Sequence, residues 1–306
     1  MRDALKESLV RLIQLASLLA VALLAVGTAS AAPPDLPAAI WTDPAPDATH
    51  PGRMEVLHIP SHGVAINGVA YLAPGAGDHP TVILCHGLPG NEKNLDLAQA
   101  IRRAGWNAVT FNYRGSWGSP GVFRFGQNLE DADAVIAYLR VPGNAKTLGV
   151  DPRRMVIIGH SMGGWVAITT AAHHPELAGL ATFSAADISR LATAPLAIRV
   201  KTMSDNMESL AGVTAESMAA DVAGEAGTHS FAKAAPTLTA MPYLALTSND
   251  GLAGDTNGLV KAITADGGAM VTTAHEATDH GWSDHRIALE ARVIEWLESA
   301  PHAEGR

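Results

Sequence analysis

The chain has 306 residues, of which 47% are hydrophobic and 17% are charged, and its formal net charge is -9 at pH 7. This length and composition are those of a folded protein with one large or two small domains, and they exclude a disordered chain. Nucleic-acid binding needs a concentrated basic face, and an acidic chain without a cluster of Lys and Arg does not offer one. We therefore expect no nucleic-acid partner.

The first 31 residues have the pattern of a cleavable export signal. Three basic residues, Arg2, Lys6 and Arg11, precede an apolar run. The run extends from Leu12 to Val26, and the small residues Ala29-Ser30-Ala31 follow it at the spacing of a cleavage site. A membrane anchor that stays uncleaved would need a longer apolar run. We predict cleavage after Ala31, export to the periplasm or out of the cell, and no stable membrane insertion of the mature protein.

A leader and a hairpin precede the repeating part of the chain. Residues 32–52 are rich in Pro and Ala and are predicted to form an extended leader. Turn residues at His62-Gly63 separate two short strands predicted over 55–60 and 64–72, which favours an antiparallel pair. From Thr81 onward, short apolar runs alternate with amphipathic ones, which is typical of a parallel sheet covered by helices.

The repeating part predicts six further strands and the helices between them. The strands are predicted over 81–85, 106–113, 155–159, 180–184, 242–247 and 269–275. Apolar residues at helical spacing predict helices over 95–104, 129–140 and 284–298. Asn128 is the expected N-cap of the second helix. We therefore predict an α/β fold with a mostly parallel eight-stranded sheet and helices on both faces.

The alternation is interrupted once, by about sixty residues without a strand pattern between the fourth and fifth of these six strands. One helix is expected there from an apolar stripe formed by Leu196, Val200, Met203, Met207 and Leu210. Thr214 is the expected N-cap of a second helix. We predict a small helical cap, about 187–238, within a single domain that covers 53–300 and is followed by a tail at 301–306.

The sequence Gly159-His160-Ser161-Met162-Gly163 lies between a predicted buried strand and a predicted helix. A G-x-S-x-G sequence in this context is typical of a nucleophile elbow, in which two glycines allow a turn tight enough to hold the serine oxygen above the edge of the sheet. An ordinary Gly-rich connection is the alternative interpretation. We identify Ser161 as the candidate nucleophile because partner residues follow it in the required order.

A serine nucleophile needs a base within hydrogen-bond reach, and the base needs a third group that orients it. Both are expected in loops at the carboxyl edge of the parallel strands, where sites form in such sheets. Asp250 directly follows the strand predicted over 242–247 and is the preferred carboxylate. Asp255 and Asp187 are alternatives, although the distance of Asp255 from the strand suits a helix cap better.

The expected base is His280, in the loop between the last predicted strand and the last helix. His275 is expected to belong to the strand and His285 to the first turn of the helix, so structural roles suit both. Nucleophile, acid and base then follow in the order Ser161, Asp250, His280, which is a known order for a catalytic triad.

The oxyanion that forms in acyl transfer needs two backbone N–H donors. Met162, next to the nucleophile at a helix N-terminus, is expected to supply one, and Leu88, in the loop after the strand predicted over 81–85, the other. His86 in the same loop is expected to shape the loop rather than act as a base. Cys85 is the only cysteine, which excludes an intramolecular disulfide. We interpret it as a small core residue, with a Cys/His pairing left open.

The sequence predicts neither a metal site nor a bound cofactor. A zincin helix needs His-Glu-x-x-His, but Asp279 stands at the second histidine position after His275-Glu276. The glycine-rich sequences Gly-x-x-x-x-Gly-Lys and Gly-x-Gly-x-x-Gly, which are typical of phosphate and dinucleotide binding, do not occur. The expected catalysis is therefore metal-free.

Five segments together carry a resemblance to a known superfamily. They are His86-Gly87, Asn112 to Ser119, Asp151-Pro152, Gly159 to Gly164 and Asp279-His280. In these segments the chain resembles α/β-hydrolases, in a branch close to dienelactone hydrolases and to the catalytic domains of prolyl-oligopeptidase-type peptidases. The resemblance spans nearly the whole mature chain and implies that the Tyr-Arg-Gly loop, Tyr113-Arg114-Gly115, lies by the active site.

Two features depart from the members of that branch. Prolyl-oligopeptidase-type enzymes place a large propeller before the hydrolase domain, and the leader leaves no room for one. The nearest dienelactone hydrolases use cysteine where this chain has Ser161. The first departure disfavours a gated peptidase, and the second argues against the nearest dienelactone hydrolases.

The sequence thus predicts an exported, metal-free serine hydrolase that acts on small-molecule carboxylic esters. A small serine peptidase or amidase is the first alternative. Glu208, Glu216 and Asp221 in the cap would be the residues to bind a substrate amine, but we interpret them as a solvated face. A non-catalytic binding protein on the same scaffold is the second alternative.

Overall fold

The computed structural model describes residues 36–225 and 227–299. From Pro37 onward these residues belong to one compact unit, built on an eight-stranded sheet in the order β1-β2-β4-β3-β5-β6-β7-β8. The strands are β1 Arg53–Ser61, β2 Val64–Leu72, β3 His79–Cys85, β4 Asn107–Phe111, β5 Val150–His160, β6 Gly179–Phe183, β7 Tyr243–Ser248 and β8 Val271–Glu276. β2 pairs antiparallel with β1 and β4, and all other neighbours are parallel. The predicted mostly parallel eight-stranded sheet is confirmed.

Helices connect these strands. They are α1 Leu95–Arg103, α2 Phe125–Arg140, α3 Pro142–Leu148, α4 Met162–His173, α5 Ile188–Ala192, α6 Leu196–Ser204, α7 Ala215–Gly224, α8 Phe231–Ala234, α9 Ala253–Ala265 and α10 Arg286–Ser299. Short 3-10 helices cover Ala38–Ile40 and Ala235–Leu238.

Alternate residues of β5 pack in two separate hydrophobic cores. Met155 and Ile157 belong to the core that contains α2 and α4. Val156 and Ile158 belong to the core that contains α1 and α10. Because successive side chains of a strand point to opposite faces, a strand covered on both faces requires an uninterrupted apolar run. Burial of each such side chain contributes about 1.5–3 kcal/mol. The predicted helices on both faces of the sheet are confirmed.

Helix α2 begins at Phe125 rather than at Leu129. Asn128 is therefore inside the helix, and the prediction that it caps the helix is wrong. Its side chain is fully buried, and its Nδ2 lies 3.5 Å from Met162 Sδ. The first backbone N–H of the helix, that of Phe125, donates instead to Asp221 Oδ2 at 2.8 Å. The start of α2 is thus set by a carboxylate that is distant in sequence.

Helices α5 to α8 lie between β6 and β7, in the region of the predicted cap. Thr214 is the N-cap of α7, as predicted, and its side chain accepts a hydrogen bond from the backbone N–H of Ser217. The predicted apolar stripe is only partly helical, because α6 ends at Ser204, before Met207 and Leu210. Those two residues lie in a non-helical stretch that binds the loop after β4.

The predicted signal peptide, residues 1–31, and the predicted tail, residues 301–306, lie outside the described residues. The described part of the leader contains the 3-10 helix Ala38–Ile40, and the carbonyl of Ile40 accepts a hydrogen bond from Arg103 Nη2 at 3.2 Å. No helix within residues 36–225 and 227–299 is long and apolar enough to cross a membrane. The domain boundaries and the cleavage site stay predictions.

His174 links the end of α4 to two carboxylates. Its Nε2 lies 3.0 Å from Asp133 Oδ1, and its Nδ1 lies 2.9 Å from Glu176 Oε1. The hydrogen bond with Asp133 outweighs the effect of burial and raises the pKa of His174 above its ordinary value of 6.5. A histidine whose pKa is raised by folding stabilises the folded state below its unfolded pKa. That contribution is lost as the pH rises through the folded pKa.

We expect His174→Gln to lower the free energy of unfolding by about 1 kcal/mol below the unfolded pKa and by much less at alkaline pH. Urea unfolding of both proteins at about pH 5.5 and about pH 9 measures the difference. His173→Gln is the matched control, because His173 Nδ1 contacts the carbonyl oxygen of Thr169 and not a carboxylate. An equal effect of His174→Gln at the two pH values would contradict the assignment.

Candidate active site

Ser161 occupies a sharp turn between β5 and α4. Its φ angle is +57°, in the left-handed region that residues other than glycine rarely adopt and that is often found at functional sites. Glycine is required on both sides of it. A Cβ on Gly159 would lie 2.0 Å from the carbonyl oxygen of Gly163, and a Cβ on Gly163 would lie 2.0 Å from that of Cys85. The turn therefore has the geometry of a nucleophile elbow.

Asp250 and His280 meet at the same edge of the sheet. Asp250 lies two residues after the end of β7, and His280 lies four residues after the end of β8. His280 Nδ1 is 2.8 Å from Asp250 Oδ2, and the Asp250 side chain is only 2% exposed. A carboxylate oxygen accepts and does not donate, so the hydrogen lies on Nδ1. The other ring nitrogen of a neutral His280 then carries a lone pair.

The Asp250 carboxylate is held in its ionised form. Burial alone would raise the pKa of this group, but hydrogen bonds from His280, the backbone N–H of Leu252 and Ser184 outweigh burial and lower it below the ordinary 3.8. The bond from Leu252 to Asp250 Oδ1 measures 2.9 Å. Asp250 is therefore both fixed in position and negatively charged at neutral pH.

The two alternative carboxylates bind other groups. Asp255 lies in the first turn of α9 and pairs with Arg190. Asp187 is the N-cap of α5, and it accepts hydrogen bonds from the backbone N–H groups of Ser189 at 3.0 Å and Phe231 at 3.2 Å. The structure thus brings Asp250, and neither alternative, to His280.

The other two histidines of the region contact different partners. His275 is in β8, as predicted, with its two ring nitrogens at 2.9 Å from Thr247 Oγ1 and 3.0 Å from Asn249 Oδ1. His285 lies directly before α10, and its Nδ1 is 3.0 Å from Asp284 Oδ1. Both sets of contacts are structural.

The loop after β3 lies against the nucleophile. A Cβ on Gly87, the residue before Leu88, would lie 2.9 Å from Ser161 Cβ and 3.5 Å from Ser161 Oγ. Met162, whose N–H is the second predicted donor, is the first residue of α4. His86 Nδ1 donates to the carbonyl oxygen of Gly87 at 2.8 Å, and burial lowers the pKa of His86 to about 4. His86 is neutral and braces this loop.

Cys85 closes β3 and is buried. Burial raises the pKa of its thiol to about 12, so the thiol stays protonated at neutral pH. A protonated, buried thiol is a weak nucleophile, which agrees with its interpretation as a small core residue.

The loop after β4 contacts both the loop after β3, which contains Gly87 and Leu88, and the cap. Trp117 Nε1 donates to the carbonyl oxygen of Pro89 at 2.7 Å, and the backbone N–H of Trp117 donates to Ser209 at 3.0 Å. The backbone N–H of Ala211 donates to the carbonyl oxygen of Gly115 at 2.7 Å. The non-helical stretch of the cap is therefore hydrogen-bonded through its backbone to the loop after β4. The loop after β4 in turn contacts the loop after β3, which contains Leu88.

Arg114 of the Tyr-Arg-Gly loop has a structural partner. Its Nε lies 2.7 Å from Asp131 Oδ1, and its backbone N–H donates to Asp131 Oδ2 at 2.8 Å. Asp131 is fully buried in α2 and also accepts a hydrogen bond from Ser61 Oγ at 2.6 Å. A buried charge needs such partners, so this pair holds the loop against α2.

Three residues of the site were missed by the sequence analysis: His160, Ser184 and Trp282. Ser184 Oγ accepts a hydrogen bond from Trp282 Nε1 at 3.0 Å, lies 2.8 Å from Ser248 Oγ and supports Asp250. His160 contacts the backbone of His280. His160 and Ser184 end or directly follow parallel strands, and that position at the carboxyl edge was the available signal.

Among the described residues, no three His, Cys, Asp or Glu side chains are grouped so that they would hold a metal ion.

An open, mostly parallel sheet with a serine at a strand-to-helix turn, and an Asp–His pair after later strands, defines an α/β-hydrolase. Sequence comparison agrees with this class. Residues 77–229 match the family model Hydrolase_4, described as serine aminopeptidase, S33, and the chain belongs to this family. The predicted resemblance to the superfamily is confirmed.

Curated relatives match part of the chain. An uncharacterised protein of Mycobacterium tuberculosis is 30% identical over 138 residues, which are 44% of this chain and 47% of that protein. The sn-1-specific diacylglycerol lipase ABHD11 of Xenopus tropicalis is 29% identical over 140 residues, which are 44% of this chain and 40% of the lipase. The chain thus spans less than half the length of these relatives.

Solved structures share the fold over most of the chain. A thermostable carboxyl esterase from Bacillus coagulans superposes with a TM-score of 0.62 at 14% identity. The superposition covers 81% of this chain and 99% of the esterase. At this level of identity the likeness shows the fold alone.

Proposed function

We propose that the protein is a serine hydrolase that cleaves carboxylic esters, with Ser161 as nucleophile, His280 as base and Asp250 as the residue that orients the base. The observation that carries this proposal is the 2.8 Å contact between His280 Nδ1 and the nearly buried Asp250, at the edge of the sheet where Ser161 turns. Because this contact places the hydrogen on Nδ1, it leaves Nε2 free to accept a proton.

In the first proposed step, Ser161 Oγ attacks the carbonyl carbon of the ester while His280 Nε2 takes the hydroxyl proton. The carbonyl oxygen becomes an oxyanion that the backbone N–H groups of Leu88 and Met162 stabilise. Collapse of this intermediate breaks the bond to the leaving oxygen, which receives the proton from His280 and departs as the alcohol. Water then attacks the acyl-enzyme by the same route, releases the acid and restores Ser161.

The relatives support ester substrates over amides. One curated relative is described as a diacylglycerol lipase, and the Bacillus coagulans neighbour is a carboxyl esterase. The family description, serine aminopeptidase, favours the second candidate, a peptidase or amidase with the same triad. The two candidates share every step above and differ in the leaving atom, which is oxygen in an ester and nitrogen in an amide.

A substrate panel on the purified protein tests the proposal. Aryl esters of graded acyl-chain length are compared with aminoacyl amides, and a fluorophosphonate probe is used to label the active serine. We expect the esters to be hydrolysed with the higher kcat/KM and Ser161 to carry the probe. Faster turnover of the amides would replace the esterase by the peptidase. A folded protein that reacts with neither the substrates nor the probe would be a binding protein.

The proposal includes export, since the predicted signal peptide precedes the hydrolase domain. The mass of the protein recovered from the exported fraction is expected to be that of a chain that begins at Ala32.

A further inference from the structure

His160 is the last residue of β5 and is directly bonded to Ser161. The residue is only 5% exposed. Its ring stacks on that of Phe183 with a centroid distance of 4.8 Å and an interplanar angle of 15°, and it contacts the tilted ring of His280 at a centroid distance of 4.8 Å. His160 therefore touches the proposed base while it is covalently attached to the proposed nucleophile.

One hydrogen bond fixes the tautomer of His160. Its Nε2 lies 2.8 Å from the backbone carbonyl oxygen of His280. A carbonyl oxygen only accepts hydrogen bonds, so Nε2 carries the hydrogen. Nδ1 of the same ring is buried without a hydrogen-bond partner in the part of the chain that the structure describes. The ring thus makes one polar contact, through a defined atom.

The surroundings keep His160 neutral. Burial is the main cause and the nearby His280 the next, and together they lower the pKa of His160 to about 3. Arg286 acts in the same direction, whereas Asp250 and the hydrogen bond to His280 act against it. When His280 takes a proton from Ser161 in the proposed reaction, the neighbouring ring of His160 therefore carries no competing positive charge.

The loop that carries His280 is also fixed by hydrogen bonds at Thr278 and Trp282, two residues on either side of His280. The backbone N–H of Asn249 donates to the carbonyl oxygen of Thr278 at 3.1 Å, and Trp282 is anchored through Ser184. The bond from His160 acts on His280 itself. Small displacements of a catalytic group reduce rates strongly, so an anchor at this backbone carbonyl bears directly on the reaction.

We propose that His160 is a positioning residue, whose Nε2–H holds the backbone of His280 at a fixed distance from the adjacent Ser161. The expected effect on kcat rests on the proposed function. The hydrogen bond from His160 to the backbone of His280 rests only on the contacts described above. Strand β5 would then carry both the nucleophile and the support of the base.

Three substitutions at His160 distinguish the hydrogen bond to the His280 carbonyl from the packing of the ring against Phe183. In His160→Gln the amide nitrogen takes the place of Nε2, and in His160→Asn it takes the place of Nδ1. His160→Phe keeps a ring against Phe183 without a donor. We expect His160→Gln to keep most of the wild-type kcat, and His160→Asn and His160→Phe to lose about a hundredfold in kcat with little change in KM. The same replacements at His58, which is exposed on β1, are the control and should leave kcat unchanged.

Equal losses in the Gln and Asn variants, or no loss in either, would overturn the proposal. Backbone hydrogen exchange over residues 278–282 gives a readout that does not depend on activity. In a Ser161→Ala background we expect faster exchange with Asn or Phe at position 160 and unchanged exchange with Gln. A failure of the ester proposal leaves this exchange pattern intact, so the two failures are distinguishable.

The wild-type protein offers a test that no folding defect can affect. Nitrogen NMR shifts of the His160 imidazole are expected to report a neutral ring with its hydrogen on Nε2 from about pH 5 to about pH 9. A hydrogen on Nδ1, or a ring that becomes charged in this range, would overturn the proposed anchor.

Discussion

Replacement of Ser161 by alanine is expected to lower kcat for ester hydrolysis by about a millionfold, the loss seen when the nucleophile of a serine triad is removed. The physical reason is that no other group at the turn can form the acyl-enzyme, so only the weaker contributions of the oxyanion donors and of substrate binding remain. Labelling by a fluorophosphonate should disappear as well, because the probe bonds to the serine oxygen. Stopped assays with an aryl ester and mass analysis of the labelled protein measure both effects.

The Ser161→Ala protein should remain folded. Alanine keeps the Cβ that serine already has at this positive φ angle, so it adds no new contact with the Gly87 loop. Thermal unfolding of the variant checks this expectation. Ser204→Ala is the matched control, since Ser204 is exposed at the end of α6. Ester turnover or labelling that survives in the Ser161→Ala protein would remove Ser161 from the nucleophile position.

The core of this fold could be predicted from sequence because its strands have a local pattern. Residues 155–158 of β5 form an unbroken apolar run, and such a run is buried on both faces wherever helices cover a parallel sheet. The requirement for Gly159 is likewise local, because a Cβ there would meet the carbonyl oxygen of Gly163 within the same turn. Patterns of this kind depend on few distant contacts.

The cap and the start of α2 could not be predicted as well, because distant contacts decide them. Asn128 has a good local pattern for an N-cap, yet Asp221 binds the first N–H of α2 from 96 residues away. The apolar stripe that begins at Leu196 has helical spacing, but Ser209 and Ala211 bind the loop after β4, so the chain leaves the helix before Met207. Tertiary hydrogen bonds override local propensity at both places.

In the candidate site, too, the features that depend on local pattern could be predicted and those that depend on distant contacts could not. The order of Ser161, Asp250 and His280 could be proposed because parallel strands bring their carboxyl ends to one edge. The supports of these residues could not be proposed, since they pair across long stretches of chain. The contact of His160 with His280 spans 120 residues, and that of Ser184 with Trp282 spans 98. A single sequence therefore allows candidate reacting groups to be proposed, but it does not show which distant residues support them.

Asp250→Asn is expected to lower kcat by about ten-thousandfold, whereas Asp255→Asn should leave it close to the wild-type value. The two replacements are chemically identical and remove one negative charge each. Asp250 contacts His280 Nδ1 at 2.8 Å, but Asp255 pairs with Arg190. An asparagine at position 250 can present its amide N–H to Nδ1, which favours the tautomer with the hydrogen on Nε2. That tautomer cannot take the proton of Ser161.

The losses of kcat and of folding stability in Asp250→Asn should persist across the neutral pH range. The pKa of Asp250 is lowered below 3.8 in the folded protein, so its carboxylate stabilises the fold above that value and this contribution fades only as the pH falls through the folded pKa. Asp250→Asn should therefore reduce both kcat and the free energy of unfolding throughout the neutral range. Steady-state assays and urea unfolding of the two variants at several pH values measure these effects. A large loss in Asp255→Asn with normal turnover in Asp250→Asn would move the orienting role to α9, and His280 would then have to leave its contact with Asp250 to react.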